Sequence, residues 1–103
     1  MARFNANRIP YPEQEKLLNF FCEVLSCLRT KSAICDFLKD LLNRQERMML
    51  IRRLLIAKLL LKDKTYQEIQ NKLHVGPVTI ARVDRWLHFG RGGYKKAILR
   101  SFK

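Results

Sequence analysis

Small side chains and arginines share the outward positions of one short segment near the middle of the C-terminal half. Val78, Thr79 and Ala81 are small, and Arg82 and Arg85 follow them at helical spacing. A guanidinium donates two hydrogen bonds to a phosphate or to a guanine edge, and a methyl-bearing side chain can contact the thymine methyl in the major groove. The chemistry predicted for this segment is therefore non-covalent recognition of DNA.

Two short helices joined by a tight turn are predicted to position these side chains. Thr65 and Glu68 have the capping-box spacing, so a first helix is expected to begin just after Thr65. Residues 74–76 form the turn, and Pro77 suits the first position of a second helix, where its missing N–H costs nothing. The predicted helix-turn-helix covers residues 65–89.

The first turn position is occupied by His74, where such motifs favour glycine because the backbone is left-handed there. Histidine is one of the few other residues enriched in that conformation, at a modest cost in strain. We therefore expect His74 to have a positive φ.

Positive charge is concentrated in the same half of the chain. The formal net charge is +12. Residues 1–43 carry six lysines and arginines against five acidic residues, whereas residues 44–103 carry fifteen against four. This asymmetry indicates that the C-terminal half binds a polyanion, although a basic surface that serves only solubility is the alternative.

The remaining elements are also predicted to be helical. Residues 1–10 are polar and are expected to form a flexible arm, and residues 11–103 a single helical domain. One helix is expected from Pro12 to about Arg29, and a second from near Thr30 or Ser32. The fold class predicted is all-α.

A third helix is predicted to begin at a capping box of Asn43 and Glu46 and to run to about Leu61. It is apolar over more than half of its circumference, which suits a helix threaded through an interlocked dimer. The central helix of a monomeric bundle is the alternative. Arg53 falls on the apolar side, where it either extends past its apolar stem or faces a cleft.

Several classes of protein are disfavoured by the sequence. No stretch reaches the roughly 18 consecutive apolar residues that span a bilayer, and the N-terminus lacks the apolar region of a secretory signal. The three cysteines form no CxxC motif, so we expect buried, reduced thiols in a cytoplasmic protein and no metal site. Neither a catalytic triad, paired carboxylates nor a phosphate-binding glycine loop is recognisable, and the protein is predicted not to be an enzyme and to need no cofactor. An interaction protein or membrane-surface peptide is disfavoured because two capping boxes and the turn specify a compact fold.

Residues 37–98 resemble the Trp repressor family, and within it the YerC/YecD-type branch of TrpR-like regulators. The resemblance is carried by four motifs: Asn43-x-x-Glu46-Arg47, Thr65-Tyr66-x-x-Ile69, Thr79-Ile80-x-Arg82-Val83 and Leu87-x-Phe89-Gly90-x-x-x-Tyr94. It implies a helical, intertwined homodimer with one helix-turn-helix on each side. The family's operator contacts correspond to Gln67, Gln70, Pro77, Val78 and Ala81.

The resemblance also implies a ligand pocket, because two ligand-holding arginines of the Trp repressor correspond to Arg53 and Arg82. The Trp repressor has glycine after the second of these, whereas this chain has Val83. We expect Val83 to fill the pocket, the protein not to respond to tryptophan, and Arg82 to turn towards DNA. Any other small-molecule effector is left open.

The function predicted is a dimeric, sequence-specific regulator of transcription, cytoplasmic and associated with the nucleoid, whose partners are double-stranded DNA and a second copy of itself. Non-specific or architectural binding of DNA or RNA is the alternative. Arg91, in the basic segment after Gly90, either adds a phosphate contact or lies in a loop without a role in binding. The residues predicted to contact DNA are Gln67, Gln70, Lys72, Pro77, Val78, Thr79, Ala81, Arg82, Arg85 and Arg91.

Overall fold

The computed structural model describes residues 4–101, and all its regular elements are helical. The six α-helices are α1 (Tyr11–Ser26), α2 (Lys31–Leu41), α3 (Arg44–Leu61), α4 (Tyr66–Leu73), α5 (Pro77–Phe89) and α6 (Gly93–Ser101). The predicted all-α fold is confirmed. Within the predicted arm, Ala6–Arg8 forms one turn of 3-10 helix, and residues 1–3 lie outside the described residues.

The chain divides after Leu41 into two compact units. The first contains α1 and α2, and the second contains α3 to α6. The predicted extent of a single domain, residues 11–103, stays a prediction.

The first unit is held by local contacts. The backbone N–H groups of Cys27 and Leu28 bond to carbonyls three residues back, and this tightening ends α1 at Ser26 rather than near Arg29. The Thr30 hydroxyl accepts a hydrogen bond from the Ala33 N–H at 3.0 Å and so caps α2.

All three cysteines belong to this first unit and are exposed, so the prediction of buried thiols is wrong. The physical reason is that two short helices supply too little apolar area to enclose a side chain, and neither α1 nor α2 contains a buried residue.

In the second unit, both predicted capping boxes are present. Asn43 accepts from the Glu46 N–H at 2.8 Å, and the Glu46 carboxylate accepts from the Asn43 N–H at 3.0 Å. Thr65 and Glu68 make the same reciprocal pair at 3.1 Å each. The hydrogen bond from the Thr65 backbone lowers the pKa of Glu68. These boxes set the first residues of α3 and α4.

The core of the second unit joins the C-terminal end of α3 to the helix-turn-helix and α6. Its buried residues are Ile56, Ala57, Leu59, Ile69, Val75, Ile80, Val83 and Ile98. Ile69, Ile80 and Val83 lie at the inward positions that helical periodicity gives them, and Val75 of the turn joins them. Packing in this core therefore fixes the angle between α4 and α5.

The N-terminal part of α3 contributes nothing to that core. Its apolar side chains between residues 48 and 55 are exposed by 39% to 52%, and they are Met48, Met49, Leu50, Ile51, Leu54 and Leu55. A single chain thus exposes most of the wide apolar belt that the sequence indicated.

His74 ends α4 in the left-handed conformation, with φ 55° and ψ 47°, as predicted. Its N–H donates to the Gln70 carbonyl at 2.8 Å, a bond that any residue can make there. We expect His74→Gly to leave the free energy of unfolding unchanged or to raise it, because glycine adopts this conformation without strain. Urea unfolding measures this, with His74→Ala as the control that removes the imidazole but keeps the strain. A large loss of stability in the glycine variant would show instead that the imidazole makes a needed contact.

Gly90 closes α5 through an N–H bond to the Trp86 carbonyl at 2.9 Å. A Cβ at Gly90 would collide with that same carbonyl oxygen. We expect Gly90→Ala to lower the free energy of unfolding by about 1–3 kcal/mol, because the backbone must move to accept the methyl group.

Gly93 provides the matched control for this variant. It is the first residue of α6, and a Cβ there would meet open space. Gly93→Ala should change the stability by less than about 1 kcal/mol, in the stabilising direction. Equal losses in the two variants, measured by urea unfolding, would contradict the steric explanation.

Candidate nucleic-acid interface

One side chain of α4 is tied directly to α5. The Tyr66 hydroxyl donates a hydrogen bond of 2.7 Å to Oδ2 of Asp84, and this bond raises the pKa of Tyr66. The other oxygen of the same carboxylate lies 3.0 Å from Nε2 of His88, one turn further along α5. The two helices of the predicted motif are therefore fixed by a polar contact as well as by the core.

Sequence reasoning missed this cluster. Tyr66 and Asp84 are far apart in the sequence, and neither residue type alone indicates a partner. The only signal of this cluster in the sequence is that His88 follows Asp84 by one helical turn, a spacing at which two side chains can interact. Asp84 is the one acidic residue of α5, and this cluster uses its carboxylate. The other charged side chains of the helix, apart from His88, are arginines.

The outer face of α5 carries the predicted DNA contacts. Val78, Ala81, Arg82 and Arg85 line one shallow depression together with Trp86. Val78 is 71% exposed even though it is apolar. Pro77 and Thr79 are also exposed at the beginning of the helix, and Ile80 and Val83 point the other way. The structure thus brings the small side chains and the two arginines to one surface.

The predicted contacts on α4 do not form a single group. Gln67 is exposed, and its Nε2 donates to the Asn71 side chain at 3.1 Å. Gln70 is half-buried. Lys72 lies about 140° around the helix from Gln67 and lines a separate depression with Lys64. Lys72 and Gln67 therefore face different directions.

Arg53 and Arg82 do meet, at a pocket of about 360 Å³ between α3, α5 and α6. Val83 is 3% exposed and forms part of the pocket wall, and the expectation that this side chain fills the pocket stays a prediction. The residues that line this pocket are Met49, Arg52, Arg53, Thr79, Arg82, Val83, Trp86 and Tyr94.

Three members of that lining were missed as site residues from the sequence: Arg52, Trp86 and Tyr94. Arg52 could have been found as a second charge beside Arg53 in an apolar helix. Trp86 is on the opposite flank of α5 from Asp84, and Tyr94 comes from α6. Their convergence depends on how α3 and α6 pack against α5.

Arg91 lies in a second depression, between the end of α5 and α6. Its neighbours there include Trp86 and Tyr94, together with Leu54 of α3. Arg91 therefore shares the neighbour Trp86 with the outer face of α5. Its predicted role in phosphate binding stays a prediction.

Residues 4–101 lack two other kinds of feature, a membrane-spanning helix and a metal-binding cluster. The described helices include none that is long and apolar enough to cross a membrane. In the same part of the chain, histidine, cysteine and acidic side chains form no group of three placed to hold a metal ion.

Comparison with known proteins places this arrangement in a family. The family described as Trp repressor protein matches residues 16–101. The uncharacterised protein YerC of Bacillus subtilis (strain 168) is 31% identical over 86 residues, which are 84% of this chain and 82% of YerC.

Two crystal structures have the same fold. A TrpR-like protein from Eubacterium eligens ATCC 27750 is 31% identical with a TM-score of 0.72, and the match covers 84% of this chain and 88% of that one. A protein from Staphylococcus aureus described as a Trp repressor is 27% identical with a TM-score of 0.75, over 82% and 85% of the two chains. The resemblance predicted from residues 37–98 is confirmed, and it extends towards the N-terminus.

Proposed function

The chain belongs to the Trp repressor family, and we propose that it is a dimeric, sequence-specific regulator of transcription that binds double-stranded DNA. Family members are regulators rather than enzymes. In this proposal the protein is a repressor-like regulator in the cytoplasm, on the nucleoid, and it inserts α5 into the major groove.

One observation carries this proposal. The outer face of α5 combines exposed small residues at the beginning of the helix with Arg82 and Arg85 one and two turns later. Small residues allow the helix to approach base edges, and the arginines reach phosphates or guanine edges.

The first helix of the motif supports the second on the DNA. In helix-turn-helix proteins this helix crosses the sugar–phosphate backbone while the second helix lies in the groove. Gln67 and Gln70 supply hydrogen-bond donors for that crossing, whereas Lys72 faces a different direction. The Tyr66–Asp84 hydrogen bond holds the two helices at the angle that this arrangement needs.

The exposed apolar surface of α3 supports the proposed dimer. Six large apolar side chains between residues 48 and 55 are exposed in the single chain, as are Leu17, Leu18, Phe20 and Phe21 on α1. Water contact with so much apolar area is unfavourable, and a second copy of the chain would cover it. In a two-fold dimer, the two copies of α5 would contact half-sites about one helical turn, roughly 34 Å, apart.

Disrupting that surface should give a monomer. Ile51→Gln with Leu55→Gln replaces two exposed apolar side chains of α3, one turn apart, without changing the net charge. We expect sedimentation equilibrium to show a dimer for the wild type and a monomer for this variant. Gln45→Ala, on the same helix, should remain dimeric. A monomeric wild type at micromolar concentration would contradict the dimer.

The DNA-binding proposal is tested by selecting duplexes from a random pool and measuring their affinity at several salt concentrations. We expect an enriched, two-fold symmetric sequence that binds more tightly than random DNA. Affinity should fall steeply with salt, by a log–log slope of about −0.9 for each phosphate neutralised. Equal affinity for the selected duplex, random DNA and structured RNA would instead favour the non-specific alternative.

The same measurement with and without tryptophan tests the effector. We expect no change in affinity, because the pocket wall carries the branched Val83 and the indole of Trp86. A rise in affinity on addition of tryptophan would show that the arginines of this pocket hold a ligand.

A further inference from the structure

Trp86 is the only tryptophan of the chain, and it is 58% exposed on the surface of α5. The core of the second unit is complete without it, because the enclosed side chains of α5 are Ile80 and Val83. Exposing an indole costs free energy that burial elsewhere would recover. Its position therefore requires an explanation other than packing within one chain.

The surroundings of the indole are strongly cationic. Trp86 borders three depressions at once: the pocket with Arg52 and Arg53, the outer face of α5, and the hollow beside Arg91. Counted together, the side chains that line them include five arginines: Arg52, Arg53, Arg82, Arg85 and Arg91. None of these lining residues is acidic.

Charge complementarity indicates which kind of molecule binds to this surface. An apolar protein partner covering the indole would have to remove water from several guanidinium groups without supplying counter-charges. A nucleic acid supplies a phosphate for each arginine and an apolar sugar or base for the ring, and aromatic side chains among cations are typical of nucleic-acid-binding surfaces.

The position of Trp86 along α5 indicates which part of the DNA its side chain contacts. It lies eight residues after Val78, and so about 12 Å further along the helix axis. The major groove is only about 12 Å wide, so when the N-terminal end of α5 is at the base edges this side chain is at the groove wall.

We propose that Trp86 packs its indole against the deoxyribose–phosphate backbone at the edge of the major groove, between the phosphates bound by Arg82 and Arg91. This inference rests on the proposed function. It adds a backbone contact to the predicted set and makes that contact independent of DNA sequence.

The single tryptophan makes the test direct. Titration of the wild-type dimer with the selected duplex, and separately with random DNA, should change the intensity and wavelength of tryptophan emission in both cases. Trp86→Ala should weaken binding about tenfold, and by a similar factor on both duplexes. Trp86→Phe should restore most of that loss because it keeps an aromatic face.

Phe89→Ala is the matched control. Phe89 is an exposed aromatic residue on the same helix, and it borders none of the three depressions. Its removal should leave the affinity unchanged. An equal loss in this variant would overturn the inference, because the effect would then not depend on the arginine surface.

The remaining outcomes are also decisive. Unchanged emission at saturation, or unchanged affinity of Trp86→Ala, would overturn the inference while leaving the proposed function intact. A loss confined to the selected duplex would contradict a backbone contact, and a monomeric Trp86→Ala variant would assign the indole to the dimer interface. A wild type that binds no duplex would overturn both proposals.

Discussion

Replacing Arg82 and Arg85 together by alanine is expected to weaken binding to the selected duplex about a hundredfold or more. A guanidinium that contacts a phosphate or a guanine contributes about 1–3 kcal/mol, and this change removes two of them. If both contacts are to phosphates, the log–log dependence on salt should become shallower by about 2. Fluorescence anisotropy with labelled DNA at several salt concentrations measures both quantities.

The control for this variant removes the same charge from the other unit. Lys16 on α1 and Arg29 after it are exposed, and Lys16→Ala with Arg29→Ala lowers the net charge equally. We expect its affinity to fall far less than that of the α5 variant. Equal losses would mean that only the overall charge matters, and specific contacts by α5 would be excluded. Because Arg82 and Arg85 are exposed, the free energy of unfolding should stay within about 0.5 kcal/mol of the wild type.

Ile69→Ala is expected to have the largest effect on stability, a loss of about 2–5 kcal/mol. Ile69 is one of three large side chains that are fully enclosed in the second unit, the others being Ile56 and Ile80. The substitution leaves a cavity between α4 and its neighbours that the small core cannot collapse around. Since domains of this size are stable by about 5–15 kcal/mol, the loss is a large fraction of the total.

Urea unfolding measures this loss, and Leu99→Ala is the control. Leu99 on α6 is also a large aliphatic residue, but it is exposed, so its replacement should cost less than about 0.5 kcal/mol. A similar small cost for Ile69→Ala would show that the helix-turn-helix does not depend on this core. Under conditions where the Ile69 variant remains folded, its DNA affinity should be close to that of the wild type, because the side chain is remote from the outer face of α5.

The features that the sequence predicted correctly are those determined within a few residues. Asn43 and Glu46 form their capping box wherever the rest of the chain lies, because both partners are on the same turn. The left-handed turn at His74 and the beginning of α5 at Pro77 are equally local. The inward positions Ile69, Ile80 and Val83 follow from helical periodicity, which depends only on the spacing of apolar residues.

The expectation of buried cysteines failed because it concerned what surrounds a side chain. The cysteines were expected to be buried from their general tendency, but the first unit has no core to bury them. Residue type indicates a preference for burial, whereas the number and direction of neighbouring side chains decide it.

The sequence by itself determined the helices, their caps, the turn and the basic outer face of α5, since each depends on short-range spacing along the chain. Only the tertiary structure decided that Tyr66 reaches Asp84, that Arg52, Arg53 and Arg82 meet at one pocket, and that Trp86 borders three depressions lined by five arginines. These residues come from helices that are distant in the sequence. Their distances are set by how the core holds α3, α4, α5 and α6 against one another.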